Sequence, residues 1–330
     1  MAHHFQMNRR TLLTACIAAG AVSSRELYAQ DMLKILVGFP AGGAIDLAAR
    51  VYAEAVAGLG TTIVDNRPGA AGNIAAAALA QARPDGRTMM FAPVNVYCTS
   101  QALYPKPGFD VARDFTPVGI VARFPWAIAV HPSVPAQDLT QFIDWLKINR
   151  ETVSCGMAAV GSEGHLMAYA FSRAIGVNLQ FAPYKGGAPM SQDLIAGHIP
   201  FAFDPFVNFF EPHKASKVRI LAITSTERSP LVPNIPTFGE LGFRGATGDT
   251  WIGAAVRTGT PTAQIQSIVA ALASAEAKPE VQSRLAARGL STVSPTPAVM
   301  AKMIEADTER YTGLIRGLLV FSAISDGTQS

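Results

Sequence analysis

The sequence predicts an α/β protein with mainly parallel sheets, and two observations support that prediction. The apolar run at residues 33–39, broken by a single lysine, is typical of a strand buried on both faces. Directly after it, apolar residues recur at helical spacing between 45 and 59. The pattern then repeats, with strands at 61–65 and 87–93 around an alanine-rich helix at 73–81. This βαβαβ order favours parallel pairing, because the helices act as crossovers.

Strands and helices continue to alternate along the rest of the chain. Further strands are predicted at 118–130, near 153, and at 179–184, 199–203, 218–224 and 251–256. Further helices are predicted at 139–147, 164–174, 189–196, 261–275, 280–288 and 297–318. In open sheets of this type a ligand binds at the carboxyl ends of the strands, so the loops there are the first candidates for a site.

The composition excludes several classes of protein. The length of 330 residues allows two domains, and 49% hydrophobic against 15% charged residues predicts a large core. The net charge is only +3 and no more than two basic residues are adjacent, which excludes a nucleic-acid partner. The sequence has neither a P-loop nor a GxGxxG signature, and its histidines lack metal-binding spacing. We therefore expect no cofactor and no metal.

Residues 1–29 have the pattern of an export signal. The basic pair Arg9-Arg10 precedes an uncharged stretch at 11–24, and Ala29 is a small residue at a plausible cleavage point. The same pair also permits the twin-arginine route, and Cys16 leaves lipidation open. No run reaches the ~20 apolar residues of a membrane helix. We expect an exported, periplasmic protein.

The first strand-end loop is Pro40-Ala41-Gly42-Gly43, which leads into a helix that contains Asp46. Glycines let the backbone approach a ligand, and the first amides of a helix attract an anion. The same residues also fit a tight turn followed by an acid in the first helical turn. The motif alone leaves both interpretations open.

Three later loops repeat this arrangement. Ser162 is suited to bind a carboxylate or to cap the next helix, and His165 to contact a ligand or to pack within that helix. Lys185 precedes a Gly-Gly pair, either as a ligand contact or as a solvated side chain. Asp204 comes directly after a strand and is suited to accept from a ligand or to cap the next segment. Four such loops together favour one ligand crevice.

Ser162, His165 and Asp204 also include the residue types of a hydrolase triad. The GxSxG signature is absent, because Gly161 is followed by Ser162 without the required spacing. Cys155 lies in a predicted buried strand, which does not suit a reactive thiol. We expect a binding protein and not an enzyme, with an exported hydrolase that uses Ser162 and His165 as the alternative.

Short motifs in a fixed order extend to about residue 310. They are Phe39-Pro40-Ala41-Gly42-Gly43 with Asp46, Asn66-Arg67-Pro68-Gly69, Pro84-Asp85-Gly86, Asp114-Phe115-Thr116-Pro117, Gly161-Ser162 with His165, Pro183-Tyr184-Lys185-Gly186, Phe203-Asp204, Arg228-Ser229-Pro230, Pro236-Thr237 and Trp251 with Gly259-Thr260-Pro261. Together they resemble the Bug-type substrate-binding proteins of tripartite tricarboxylate transporters.

The resemblance implies a two-lobed periplasmic binding protein of type II, whose lobes close over a small carboxylate like a flytrap. Two crossover hinge strands are expected near 120–130 and 250–256. Residues 30–124 and 252–330 are expected to form the first lobe, and 125–251 the second. We also expect a monomer that delivers its ligand to the membrane subunits of a tripartite carrier, or to a sensor protein.

In this family the ligand carboxylate is held mainly by backbone amides and ordered waters, which agrees with an anion site that lacks arginine. The predicted ligand-binding residues are Phe39, Ala41, Gly42, Gly43, Asp46, Asn95, Val160, Gly161, Ser162, His165 and Asp204. Three loops, at Ile45, 92–96 and 157–160, are more apolar than is usual in the family. We therefore expect a less polar, aromatic or branched carboxylate in preference to amino acids or citrate.

Overall fold

The computed structural model describes residues 32–56, 58–243 and 247–327. The predicted leader, residues 1–29 with its Arg9-Arg10 pair and Cys16, lies outside the described residues. No helix in the part of the chain that the structure describes is long and apolar enough to cross a membrane. Cys98 and Cys155 are both buried and unpaired.

The strands of the described residues form two separate sheets. The strands are β1 (Met32–Val37), β2 (Thr61–Asn66), β3 (Thr88–Pro93), β4 (Phe115–Phe124), β5 (Trp126–Val130), β6 (Ser154–Met157), β7 (Gln180–Pro183), β8 (Phe201–Pro205), β9 (Arg219–Ile223), β10 (Thr250–Arg257) and β11 (Ser291–Thr292). The first sheet has the order β11-β4-β10-β3-β1-β2, and the second has the order β7-β6-β8-β5-β9. Each sheet is the centre of one lobe, so the two-lobed α/β class is confirmed.

Helices connect the strands and cover the sheets. They are α1 (Ala44–Ala55), α2 (Asn73–Ala80), α3 (Val94–Cys98), α4 (Ser100–Leu103), α5 (Val111–Asp114), α6 (Leu139–Asn149), α7 (Glu163–Ala174), α8 (Gly187–Ala196), α9 (Phe206–Lys214), α10 (Thr262–Glu276), α11 (Pro279–Ala286) and α12 (Pro297–Gly327). The predicted helices are confirmed within a few residues, except that α12 continues nine residues beyond its predicted end at 318. The sequence did not predict α9, because Pro205 and Pro212 obscure its helical pattern.

The sheets are mixed, which corrects the prediction of mainly parallel sheets. β1 runs parallel to β2 and β3, and β6 runs parallel to β7 and β8. In contrast, β10 is antiparallel to β3 and β4, and β5 is antiparallel to β8 and β9. The antiparallel pairs involve the strands that flank the crossovers between the lobes. These strands enter their sheet from the side of the other lobe.

The chain crosses between the sheets twice. The predicted strand at 118–130 is in fact two strands, since β4 ends at Phe124 and β5 begins at Trp126 in the other sheet. Pro125 lies between them and has no backbone N–H for a continuous ladder. The chain returns between Ile223, the end of β9, and Thr250, the start of β10. The exact lobe boundaries, at 124/125 and 251/252, stay a prediction.

One apolar cluster extends through both lobes and packs behind the walls of the cleft. It includes Tyr52 beneath the first sheet and Phe171 and Phe203 in the second lobe, all of them fully or almost fully buried. The long helix α12 packs on β4 and also reaches α7 of the second lobe. The start of α7 is therefore surrounded by elements of both lobes.

Candidate functional site

A narrow inner cavity lies in the cleft between the lobes. Of the predicted ligand-binding residues, Phe39, Gly43, Asn95, Ser162 and Asp204 line it. Most of the remaining wall is apolar, and comes from Pro40, Ala44, Ile45, Pro93, Phe124, Trp126, Ala158, Gly187, Ala188 and Pro205. Among the described residues, none that lines the cavity is a lysine, arginine or histidine.

Four helices of more than eight residues begin at this cavity. The lining residues include Gly43 and Ala44 at the start of α1, Ser162 and Glu163 at the start of α7, Gly187 and Ala188 at the start of α8, and Pro205 at the start of α9. A helix N-terminus carries a partial positive charge and unpaired amides. These N-termini therefore offer backbone donors to an anion, although the described wall carries no cationic side chain.

A second, wider cavity lies outside the first and shares Phe39, Pro40 and Ala158 with it. Val160, a predicted ligand contact, lies here with 57% of its surface exposed. Lys185 also lines this outer cavity, and its side chain is exposed. The arrangement is that of an entrance that leads to the inner cavity.

The first loop is held in shape by Asp46, and this residue does not line the inner cavity. One oxygen of Asp46 accepts from the backbone amide of Gly42 at 2.8 Å and from Arg50 Nε at 2.9 Å. The other accepts from Asn66 Nδ2 at 2.9 Å. Burial raises the pKa of Asp46, but these donors outweigh it and keep the pKa below its usual value. Ala41 and Gly42 are exposed at the tip of the loop.

The second loop is organised by Ser162 and His165. Ser162 caps α7 by accepting from the backbone amide of His165 at 3.3 Å, and its hydroxyl donates to Ala159 O at 2.8 Å. Gly161 donates its amide to Nδ1 of the His165 ring at 3.2 Å. Burial lowers the pKa of His165 to about 4, so its ring is neutral at ordinary pH.

These contacts differ from those of a hydrolase triad. The Ser162 hydroxyl donates to a carbonyl, and the His165 ring accepts from the Gly161 amide and packs edge-on against Phe181. Asp204 pairs with Asn208, which lies on α9. A nucleophilic serine requires a hydrogen bond to its base and a third group that orients that base. Ser162 thus caps a helix, His165 packs within the second lobe, and Asp204 forms part of the cavity wall.

Two acidic residues, Glu163 and Asp204, are among those that line the inner cavity. Glu163 is buried and accepts from the hydroxyls of Thr250 and Tyr311, which belong to β10 and α12. Burial raises its pKa to about 7 although both hydroxyls act in the opposite direction. Asp204 is fully buried at the end of β8, and burial raises its pKa to about 7 as well.

A hydrogen bond across the mouth of the cleft joins the lobes. Tyr104, just after α4 in the first lobe, donates its hydroxyl to Val160 O at 2.7 Å. On the same side, a side chain at Gly186 would come within 2.7 Å of Pro40, so only glycine permits this approach of the loops. The structure is that of a closed cleft.

Sequence reasoning missed Tyr104, Trp126, Glu163 and Asn208. Glu163 comes directly after a helix cap and has the pattern of an ordinary first-turn acid. Asn208 lies four residues after Asp204, and a helix brings residues at this spacing close together. Their contact was missed because α9 was not predicted. Tyr104 and Trp126 reach the cleft only because the fold brings segments that are distant in sequence together. No local sequence pattern predicts such contacts.

Solved structures with the same fold define the class of this protein. The structure of the periplasmic binding protein BugD aligns with a TM-score of 0.83 and 29% identity, covering 87% of this chain and 97% of that chain. The two lobes and the interlobe cavity are those of a periplasmic solute-binding protein.

The family model for the tripartite tricarboxylate transporter family receptor, TctC, matches residues 48–319, and the chain belongs to this family. Protein BugT from Bordetella pertussis is 29% identical over 308 residues, which are 92% of this chain and 94% of that protein. The resemblance to Bug-type proteins is confirmed.

Two similar proteins have been solved with small carboxylates. Rpa4515 from R. palustris with adipate aligns with a TM-score of 0.83 and 30% identity, covering 86% of this chain and 96% of that one. MatC (Rpa3494) from Rhodopseudomonas palustris with bound malate aligns with a TM-score of 0.81 and 27% identity, covering 86% and 98%.

Proposed function

We propose that this protein captures a small carboxylate in the inner cavity and binds it without converting it. The observation that carries the proposal is the convergence of four helix N-termini on a cavity whose described wall holds no cationic side chain. Backbone amides and bridging waters then supply the donors for the anion. The adipate and malate bound to the two similar proteins support the same ligand class.

The apolar wall selects for the body of the ligand. Phe39, Phe124 and Trp126 contribute aromatic surface, and three prolines add further apolar area. An apolar body gains free energy by leaving water for this wall, at ~25 cal/mol per Å² buried. A polar acid such as citrate would lose hydration without equivalent partners. The preferred ligand is thus a less polar, aromatic or branched acid.

The wider role follows from the same family. We propose a monomer with lobes at 30–124 plus 252–330 and at 125–251, exported through the leader at 1–29. Its closed form is the state that membrane subunits of a tripartite carrier, or a sensor protein, would recognise. Ligand binding shifts the population toward that form.

A thermal-shift screen tests this function. The probes are benzoate, phenylacetate, isovalerate, adipate, malate, citrate and phenylalanine, each added to the same preparation. The proposal expects stabilisation that grows with concentration as RT ln(1 + [L]/Kd), largest for the aromatic or branched acids. Tight citrate binding with no response to aromatic acids would contradict the proposed ligand preference.

A further inference from the structure

Asp204 has one carboxyl oxygen engaged and one without a partner. Its Oδ2 accepts from Asn208 Nδ2 at 2.5 Å, whereas its Oδ1 is buried and has no hydrogen-bond partner among the described residues. The residue lines the inner cavity and is 0% exposed. A buried polar atom of this kind costs free energy unless a ligand or a water satisfies it. Asp204 is therefore built to contact something inside the cavity.

The charge of the cavity makes an ionised Asp204 a poor neighbour for a carboxylate. No lysine, arginine or histidine of the described chain lines the cavity, so no side chain there would neutralise the pair. The other carboxyl in the cavity, Glu163, has its oxygens occupied by the hydroxyls of Thr250 and Tyr311. Two carboxylates in one apolar site repel each other, and such sites retain a proton.

We infer that a carboxylate ligand binds together with one proton on Asp204, which then donates a hydrogen bond from Oδ1 to the ligand. This inference rests on the proposed function. Asn208 determines the position of the proton, because its amide donor needs Oδ2 as an acceptor and leaves Oδ1 to carry the hydrogen. The proton comes from solvent. One proton and one ligand anion are taken up together, and the product is the complex of the ligand with protonated Asp204.

Burial raises the pKa of Asp204 to about 7, and the Asn208 hydrogen bond acts in the opposite direction. The titratable side chains on the elements packed against β8 are Glu163, His165, Tyr169 and Arg173 of α7, Asp193 of α8, Glu211, His213 and Lys214 of α9, and Cys155 of β6. Arg173, Glu211 and Lys214 are exposed, and Asp193 is partly exposed. Of this set, only Glu163 shares the cavity with Asp204.

Calorimetry at several pH values tests the inference. The probe is whichever of benzoate, phenylacetate and isovalerate gives the largest thermal shift, titrated into the full chain between pH 6 and 9. Each titration is made in phosphate and in Tris, whose different ionisation enthalpies reveal proton uptake. We expect uptake approaching one proton per ligand above pH 7, and an affinity that falls toward tenfold per pH unit at the alkaline end.

Three variants assign the proton to its residue. Asp204→Asn keeps an acceptor for Asn208 and a permanent donor at the other position, so its proton uptake should vanish and its affinity should become independent of pH. Glu163→Gln should retain the uptake, whatever its affinity. Asp144→Asn is the matched control, since Asp144 is an exposed carboxylate of the same lobe.

Each outcome decides between the inference and its competitors. Binding of an acid without proton uptake in wild type overturns the inference and leaves the proposed function standing. Tighter binding of phenylalanine than of phenylacetate, lost in Asp204→Asn, shows instead that Asp204 is an ionised partner for an ammonium group. Loss of proton uptake in Glu163→Gln shows instead that Glu163 is the residue that takes up the proton. No response to any acid at any pH overturns both the proposed function and the inference.

Discussion

The hydroxyl of Tyr104 donates to the carbonyl of Val160 at 2.7 Å and joins the two lobes across the mouth of the cleft. Because this bond exists only when the cleft is closed, it stabilises the closed form relative to the open one. A hydrogen bond of this kind contributes about 0.5–1.5 kcal/mol. Its loss lowers the closed population and the apparent affinity together.

The first prediction concerns this bond. Tyr104→Phe should raise the Kd for the ligand by about 2–10-fold, which corresponds to the free energy of one hydrogen bond. Tyr52→Phe is the matched control, because the Tyr52 hydroxyl donates to Val121 O within the first lobe at 2.9 Å and lines neither cavity. Isothermal titration of both variants is the measurement. Equal effects of the two substitutions on Kd would show that Tyr104 does not act through closure.

Ser162→Ala separates binding from stability. The variant loses the cap of α7, at about 0.5–2 kcal/mol of unfolding free energy, and should also weaken ligand binding because Ser162 lines the cavity. Asp138→Ala removes the cap of α6 outside the cavity and should cost a similar stability with no change in affinity. Denaturant unfolding and titration measure the two effects. Ester hydrolysis by wild type that disappears in Ser162→Ala would instead support the hydrolase alternative.

Glu163 should give a characteristic pH dependence of stability. Its folded pKa is raised to about 7 from a usual value of 4.5, so the folded state binds the proton more tightly than the unfolded state. The contribution is therefore fully present below pH 4.5 and is lost as the pH rises toward 7. Relative to wild type, Glu163→Gln should gain roughly 1–3 kcal/mol of stability between pH 4.5 and 8.

Urea unfolding of both proteins across this range is the measurement. Glu151→Gln serves as the matched surface control, since the Glu151 side chain is 86% exposed. A stability difference between Glu163→Gln and wild type that stays constant with pH would show that Glu163 does not titrate in this window.

Asp46 should matter for the shape of the first loop. Asp46→Ala leaves the Gly42 amide, Arg50 and Asn66 without their shared acceptor, which should cost about 1–3 kcal/mol of stability. Ligand affinity should fall as well, because the loop leads directly to the start of α1. Asp65→Ala, at a partly exposed carboxylate paired with Arg67, is the matched control. Unchanged affinity in Asp46→Ala would separate this loop from the binding site.

Local pattern predicted most of the fold. The apolar run before Pro40 is typical of a buried strand, and the spacing of apolar residues after Ile45 is typical of a helix. β1 and α1 therefore lie close to their predicted positions. Strand direction could not be predicted at the crossovers, because whether β10 runs with or against β3 depends on the path of the chain through the other lobe. Pro125 did mark a break, but nothing local shows that the next strand joins a different sheet.

The candidate site was predictable only where the ligand-facing residues lie at strand ends. Ser162 follows β6 and Asp204 lies at the end of β8, and both line one cavity. Glu163 and Tyr311 are 148 residues apart, so their contact results from the packing of α12 and from no motif. Raised pKa values are likewise invisible in sequence, since they arise from burial that only the folded chain creates.

A calorimetric titration of the wild-type chain shows whether the inner cavity holds one small carboxylate. The titrant is the acid that stabilises the protein most in the thermal-shift screen. We expect saturable binding of one acid per chain, with about 2.7 kcal/mol of added stability at a ligand concentration of 100 Kd. Heat signals that never saturate with any acid in the screen, together with unchanged unfolding, would contradict it.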